Sequence, residues 1–284
     1  MIAFLGAGLL GSGFVRALAR RGEAVRVWNR TSAKARALAG EQVTPFDDAA
    51  EAARGAARVH VILSDDAAVD AVLEAARPGL TPGVTIVDHT TTSATGAAAR
   101  AARWTSGGFG FVHAPVFMGP QNALESTGIM LVCGERARVD AVSPALAKMT
   151  GKLVDLGDDP RRAASFKLLG NLFLMFLTSG VAEVFGLGKA LGVAPTDAAK
   201  LFEIFNPAGM VGARAQRMIA AQFGDASWEL GMARKDARLM LEESARGGVD
   251  LAVLPAIAAL MDRYIAGGHA HDDWTIIGKG NLSS

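Results

Sequence analysis

The residues Gly6, Ala7, Gly8, Leu9, Leu10 and Gly11 read G-x-G-x-x-G, and they follow directly on an apolar run from Ile2 to Leu5. A glycine turn between a buried strand and a helix lets the backbone approach a pyrophosphate closely, with the free N–H groups of the helix N-terminus facing the anion. The chain holds 33 glycines, so the pattern alone would be weak. Its context strengthens it. Phe14, Val15, Leu18 and Ala19 continue at helical spacing, and Ala24, Val25, Val27 and Trp28 then read as a second strand. The first thirty residues therefore predict a strand, helix and strand built to hold a dinucleotide.

Up to about residue 156, short apolar runs alternate with alanine-rich helical stretches. The strands are expected at Ile2 to Leu5, Ala24 to Trp28, Val59 to Leu63, Val84 to Asp88, Gly110 to His113, Ile129 to Cys133 and Leu153 to Leu156. Helices are expected over 9 to 21, 32 to 40, 66 to 76, 92 to 103 and 136 to 149, with Thr31 or Ser32, Asp65 and Thr92 as N-caps. Such alternation predicts a parallel sheet covered on both faces. After Gly157-Asp158-Asp159-Pro160 no strand-like run recurs and helical periodicity takes over. Arg161 to Leu191 has no proline and would be roughly 45 Å long as one helix. Further helices are expected over Thr196 to Phe205, Gly209 to Ala221, Trp228 to Ala245 and Leu251 to Ala266, before a mixed tail from Gly267. The predicted architecture is α/β: an N-terminal doubly wound Rossmann domain, 1 to 160, joined by the long helix to an all-helical domain, 161 to 284, that serves substrate binding and oligomerisation.

Asn29, Arg30 and Thr31 stand at the end of the second strand, where an acid would bind the ribose 2′-hydroxyl of NAD. A guanidinium there can instead hold a 2′-phosphate through paired hydrogen bonds, and Lys34 adds a second positive charge one turn later. NADP is the expected cofactor.

The net charge of +1 gives no general attraction to nucleic acid or to anionic membranes. Cys133 is the single cysteine, so no internal disulfide can form, and its apolar setting reads as a small buried hydrophobe. With a strand starting at residue 2 there is no room for an export signal, and a cytoplasmic location is expected. Leu168 to Ala182 lacks charge for fifteen residues but carries Asn171, Thr178 and Ser179, and so reads as a helix buried inside a soluble protein.

Several ordered motifs make the chain resemble the β-hydroxyacid dehydrogenase family, the group containing 3-hydroxyisobutyrate dehydrogenase and the glyoxylate and succinic semialdehyde reductases. They are Gly6 to Gly11 with Asn29-Arg30-Thr31, then Leu63-Ser64-Asp65, Asp88-His89-Thr90-Thr91, Ala114-Pro115-Val116, the pair Lys167 and Asn171, and Lys235-Asp236. The resemblance implies that Lys167 is the catalytic acid/base and that Asn171 positions the substrate. It further implies that Thr90 lies close to nicotinamide and substrate, that Thr91 and the stretch Leu63-Ser64-Asp65 meet the cofactor, and that Lys235 closes the site near cofactor or substrate. A dimer or tetramer built through the helical domain is also implied.

The residues support the assignment on their own terms. Lys167 and Asn171 are four apart and share a helix face. A lysine there can donate a proton to a carbonyl oxygen as hydride reaches its carbon, provided burial or a neighbouring cation lowers its pKa from about 10.4.

The chain departs from the family at one place. The pattern Asp-Ala-Pro-Val-Ser-Gly-Gly appears as His113-Ala114-Pro115-Val116-Phe117-Met118-Gly119, so the serine and first glycine that help hold a substrate carboxylate have become Phe117 and Met118. Either the anion is held elsewhere, by Thr90, Thr92 and Lys235, or the substrate is less polar than 3-hydroxyisobutyrate. His89 and His113 stand at strand ends beside the cofactor, suited to proton shuttling or to structural hydrogen bonds. His269 and His271, two apart on a loop, lack further well-spaced ligands, and no metal is expected.

The sequence thus predicts an NADP(H)-dependent oxidoreductase acting between NADPH and a small carbonyl compound or hydroxyacid, with neither nucleic acid nor membrane as partner. Imine reductases share the architecture with aspartate or tyrosine at the position of Lys167. Non-catalytic relatives lack the lysine, and 6-phosphogluconate dehydrogenase would need a second helical repeat.

Overall fold

A computed structural model describes residues 1–282. The chain divides into two compact units, Met1–Leu172 and Phe173–Ser284; residues 283 and 284 of the expected tail lie outside the described residues.

In the first unit the strands are β1 Ile2–Leu5, β2 Val25–Trp28, β3 Val43–Phe46, β4 Arg58–Val61, β5 Thr85–Asp88, β6 Gly110–His113, β7 Val116–Phe117, β8 Ile129–Gly134 and β9 Lys152–Asp155. The sheet runs in the order β3-β2-β1-β4-β5-β6-β8-β7, with β9 beside β8. Because β1 pairs in parallel with both β2 and β4, the strand order reverses there, and ligands of such sheets bind in the crevice this reversal opens. β1, β5 and β6 are buried along their whole length, which is why they read as unbroken apolar runs. Side chains alternate between two core layers. Phe4, Val27 and Val112 pack with Phe14 and Leu18 on one face, while Leu5, Val59 and Ile86 pack with Leu73 and Trp104 on the other.

The helices are α1 Leu9–Arg20, α2 Ser32–Arg36, α3 Ala49–Ala53, α4 Asp66–Ala76, α5 Ala94–Ser106, α6 Pro120–Glu125 and α7 Arg136–Leu146. Asp65 caps α4 by accepting the Ala68 N–H at 2.8 Å, as its position predicts. On α5 the cap is Ser93, whose hydroxyl accepts the Gly96 N–H, while Thr92 is buried. The sheet is not wholly parallel. β8 runs antiparallel to β6 and to β7, since the segment from β7 through the short helix α6 turns the chain back on itself rather than carrying it across the sheet.

The long helix α8, Arg162–Ala190, starts in the first unit and ends in the second. Its start is held against β8: the Ala163 N–H donates to Cys133 Sγ at 3.3 Å, and Cys133 is buried as expected. The expectation that α8 lies buried is corrected. Leu169, Leu172, Phe173, Met175 and Phe176 are all more than half exposed, because apolar residues run around the helix and one chain does not cover them. By length and composition alone α8 would suffice to cross a membrane.

The second unit continues with α9 Pro195–Ile204, α10 Val211–Ile219, α11 Leu230–Arg246, α12 Leu254–Ala266 and a 3-10 turn over Trp274–Asn281. Leu230, Ala233 and Ala237 of α11 pack on Ala258 and Met261 of α12 and on Ile276. The Glu183 carboxylate of α8 accepts the N–H groups of Ala252, Val253 and Leu254 at 2.7, 3.3 and 3.0 Å, satisfying donors at the start of α12.

Candidate active site

A cleft of about 610 Å³ lies at the carboxyl ends of the strands of the first unit. Gly8, Leu9, Leu10 and Gly11 line it, together with Asn29, Arg30, Thr31 and Lys34, Leu63 and Ser64, Thr91, Met118 and Lys167.

The three glycines have three different reasons. Gly6 sits at φ +116, and a Cβ there would stand 2.0 Å from the Ile62 carbonyl oxygen. A Cβ on Gly11 would stand 2.1 Å from the Gly6 oxygen, so the turn and the first helical residues touch directly. At Gly8 a Cβ would meet nothing within 4 Å and would project into open space at the start of α1. That is the geometry a pyrophosphate needs, with bare backbone before the unpaired N–H groups of the first helical turn. Ala7 does not offer its own N–H, which donates to Asn29 Oδ1 at 2.9 Å. The Asn29 amide also donates to the Thr31 carbonyl at 3.0 Å, so one side chain holds the glycine turn and the β2–α2 turn together. Arg30 is exposed on the cleft rim beside Lys34.

Thr90 and Thr91 divide their work. Thr90 is buried, its hydroxyl accepting the Leu63 N–H at 3.0 Å and its own N–H donating to Asp88 Oδ1 at 2.9 Å. Thr91 is the one that lines the cleft. Burial pushes the Asp88 carboxyl up, but the His113 imidazole 3.6 Å away and the hydrogen bond from Thr90 outweigh it and the group stays below the usual carboxylate range. Asp65 is spent on capping α4, and the Ser64 hydroxyl donates to it at 2.9 Å.

Lys167, half-buried near the start of α8, reaches the same cleft. Burial lowers its pKa below the ordinary lysine value. Its Nζ lies 4.4 Å from the centre of the Phe117 ring. Phe117 in turn rests on Gly170, where a Cβ would stand 2.4 Å from Cζ of the ring. Gly119 is exposed, and its N–H donates to Asn122 Oδ1 at 2.9 Å as the cap of α6. Asn171 is half-buried one turn beyond Lys167. Lys235 belongs to the second unit, where it forms an ion pair with Asp236 at 2.7 Å on α11. His269 and His271 are paired with Asp272 and Glu229.

Sequence reasoning passed over one wall of the cleft, Ile62 with Ala68, Ala71 and Val72 of α4. The signal was present, since 68, 71 and 72 share a helix face beside the one formed by the buried Val69, Leu73 and Ala76.

Residues 1–157 match the family described as the NAD binding domain of 6-phosphogluconate dehydrogenase, and residues 159–280 match the NADPH-dependent reductive aminase-like C-terminal domain. An uncharacterized oxidoreductase of Shewanella frigidimarina is 28% identical over 276 residues, 93% of this chain and 90% of that one. The 3-sulfolactaldehyde reductase of Escherichia coli is 26% identical over 97% of this chain and 94% of its own length. Among solved structures, the Streptomyces aurantiacus imine reductase superposes with a TM-score of 0.91 at 25% identity over 99% of both chains. The Myxococcus stipitatus imine reductase in complex with NADP+ gives 0.92 at 19% identity over 98% of this chain and 99% of its own.

Fold, cleft and relatives together define an NAD(P)-dependent reductase. The chain belongs to the family of the 6-phosphogluconate dehydrogenase NAD binding domain, within the β-hydroxyacid dehydrogenases.

Proposed function

We propose that the protein reduces a small carbonyl compound with NADPH, Lys167 donating the proton. The observation that carries this reading is that Lys167, with its pKa lowered by burial, lines the same cleft as the glycine turn. A reduced nicotinamide supplies the hydride. Gly8 and the first turn of α1 hold the pyrophosphate, and Arg30 with Lys34 binds the 2′-phosphate. Lys167 gives its Nζ proton to the oxygen that becomes the alcohol, and Asn171, one turn further along α8, orients the substrate.

The cleft that Lys167 lines includes the apolar Val116 and Met118 together with the polar Ser64, Thr91 and the edge of His89. The Gly119 N–H already donates to Asn122, and the Thr90 hydroxyl is buried and does not line the cleft, so neither stands as a ready carboxylate donor. These features favour aldehydes or ketones with little charge near the reacting carbon. Imine reduction is the second reading. It is favoured by the reductive aminase-like C-terminal domain together with the apolar pair Phe117 and Met118.

The uncovered apolar positions of α8 support a homo-oligomer, a dimer or tetramer in which a second copy buries them. A cytoplasmic location fits the nicotinamide chemistry and the lone buried cysteine. The deciding experiment follows NADPH consumption against semialdehydes, glyoxylate, uncharged ketones and cyclic imines. Turnover of carbonyls that vanishes in Lys167→Ala supports the reading. Turnover confined to imines moves it to the second, and none on the whole panel favours a non-catalytic dinucleotide-binding protein.

A further inference from the structure

Two histidines lie end to end in the core of the first unit, and the mechanism above uses neither. His60 on β4 is fully buried, and His89, just beyond β5, is buried except for the edge that lines the cleft. His60 Nδ1 is 2.9 Å from His89 Nε2, and His89 Nδ1 is 2.7 Å from the Ala114 carbonyl oxygen. At the far end the Arg58 Nε–H donates to His60 Nε2 at 2.9 Å, while Arg58 is itself paired with Glu23.

The partners leave one arrangement of protons. The Ala114 oxygen can only accept, so His89 Nδ1 carries hydrogen. Arg58 can only donate, so His60 Nε2 carries none. With both rings neutral, His60 must hold its proton on Nδ1 and donate to His89 Nε2. Burial supports neutrality in both, holding His89 down to about 4 and His60 well below its usual value. The rings are within 12° of coplanar, with Phe4 beside His60 and Phe14 beside His89. A ring whose two nitrogens are both committed has nothing left with which to shuttle protons.

The chain of donors ends at a place that matters. Ala114 is where β6 leaves the sheet toward Val116, Phe117 and Met118. Its N–H donates to the Asp88 oxygen at 2.7 Å while its carbonyl accepts from His89. Both sides of this residue are therefore tied to the end of β5, from which Thr90 and Thr91 depart.

We propose that His89, locked in one tautomer by Arg58 and His60, is a positioning residue that clamps the Ala114–Met118 and Thr90–Thr91 segments into the two walls facing the nicotinamide. The charged and titratable groups around it are Arg58 and Glu23 behind His60, and Asp88 and His113 at the ends of β5 and β6. This role rests only on the cleft holding a nicotinamide dinucleotide.

The test uses the full chain, nitrogen-15 labelled at histidine, with NADPH as the probe. At neutral pH both rings should carry the proton on Nδ1, with the two resonances assigned by substitution. His89→Leu should bind NADPH within about threefold of the unsubstituted protein yet lose about half or more of the rise in nicotinamide emission on binding. His89→Asn, whose amide nitrogen stands where Nδ1 stood and still donates to Ala114, should keep most of that rise. An Nε2-bound proton on either ring overturns the proposal. So does unchanged emission in His89→Leu, or an asparagine variant no better than leucine. If His89→Leu does not fold, the tautomers of the unsubstituted protein decide. No substrate enters the experiment, so its failure leaves the role of Lys167 standing, and the reverse holds as well.

Discussion

The Lys167 ammonium stands 4.4 Å from the centre of the Phe117 ring, so the group proposed to give the proton rests on the face of an aromatic side chain. Two opposing effects act on it. Burial disfavours the charged form, whereas the ring's negative face favours it by about 0.5–1 kcal/mol. Phe117→Leu keeps most of the burial and removes the ring, so the pKa of Lys167 should fall by about half a unit. Reduction needs the protonated lysine, and activity is lost as pH rises through that pKa. The basic limb of the pH–rate profile should accordingly move to lower pH, and a limb that stays put or moves upward would contradict the geometry.

Lys167→Ala should lower turnover by about 100-fold or more while leaving NADPH affinity within about threefold, since general acid catalysis is typically worth that much. Steady-state kinetics beside a fluorescence titration separates the two quantities. Retention of more than about a tenth of the activity would remove the lysine from the chemistry.

Arg30 is expected to distinguish the two dinucleotides. In Arg30→Ala, NADPH affinity should drop by about 10- to 100-fold, the value of charge-assisted hydrogen bonds to a phosphate, while NADH affinity stays level. An unchanged ratio would show that the 2′-phosphate is bound elsewhere.

The glycines of the turn predict opposite phenotypes. Gly11→Ala forces a Cβ to within 2.1 Å of the Gly6 carbonyl oxygen and should cost about 1–3 kcal/mol of stability in denaturant melts. Gly8→Ala meets no protein atom within 4 Å, so the melt should hardly change. Its added methyl projects where the pyrophosphate must approach, and NADPH binding should weaken by about tenfold. Equal effects of the two on stability would refute this division of labour.

His89 links the core to acid sensitivity. Its pKa is held down from 6.5 to about 4 by burial, so on acidification the unfolded chain takes up a proton before the folded one does. The stabilisation is complete above about pH 6.5 and is lost as pH falls toward 4, amounting to about 3 kcal/mol at most. His89→Asn should flatten that part of the stability profile, as measured by urea midpoints between the two pH values.

Much of the first unit was legible in the sequence because its central strands are buried on both faces. β1 and β6 fall where the apolar runs place them, and β5 within one residue. The edge strand β3 left little trace, since Val43–Phe46 is half exposed and contains Pro45, which an edge tolerates and a central strand does not. The two-residue β7 and the five- and six-residue helices α3 and α6 are too short for periodicity to declare. In the cleft, residue type pointed to Lys167, Arg30 and the glycines. What could not be read was how partners are shared: that Thr90 turns inward to Leu63, that Asp65 is consumed by a helix cap, and that Phe117 lies on Gly170. Those depend on contacts between residues far apart in the chain. Burial of α8 was misjudged for a related reason, because a run of apolar residues records that a surface must be covered and not what covers it.

Asn29 carries a consequence for anyone who would change which dinucleotide the protein prefers. Swapping the whole Asn29-Arg30-Thr31 segment for an acidic counterpart would look like a local edit to the adenosine end. Yet the Asn29 carboxamide also anchors the Ala7 N–H, so the same exchange would loosen the diphosphate cradle and weaken both forms of the coenzyme together. Redesign of coenzyme preference has to spare Asn29 and work through Arg30 and Lys34 alone.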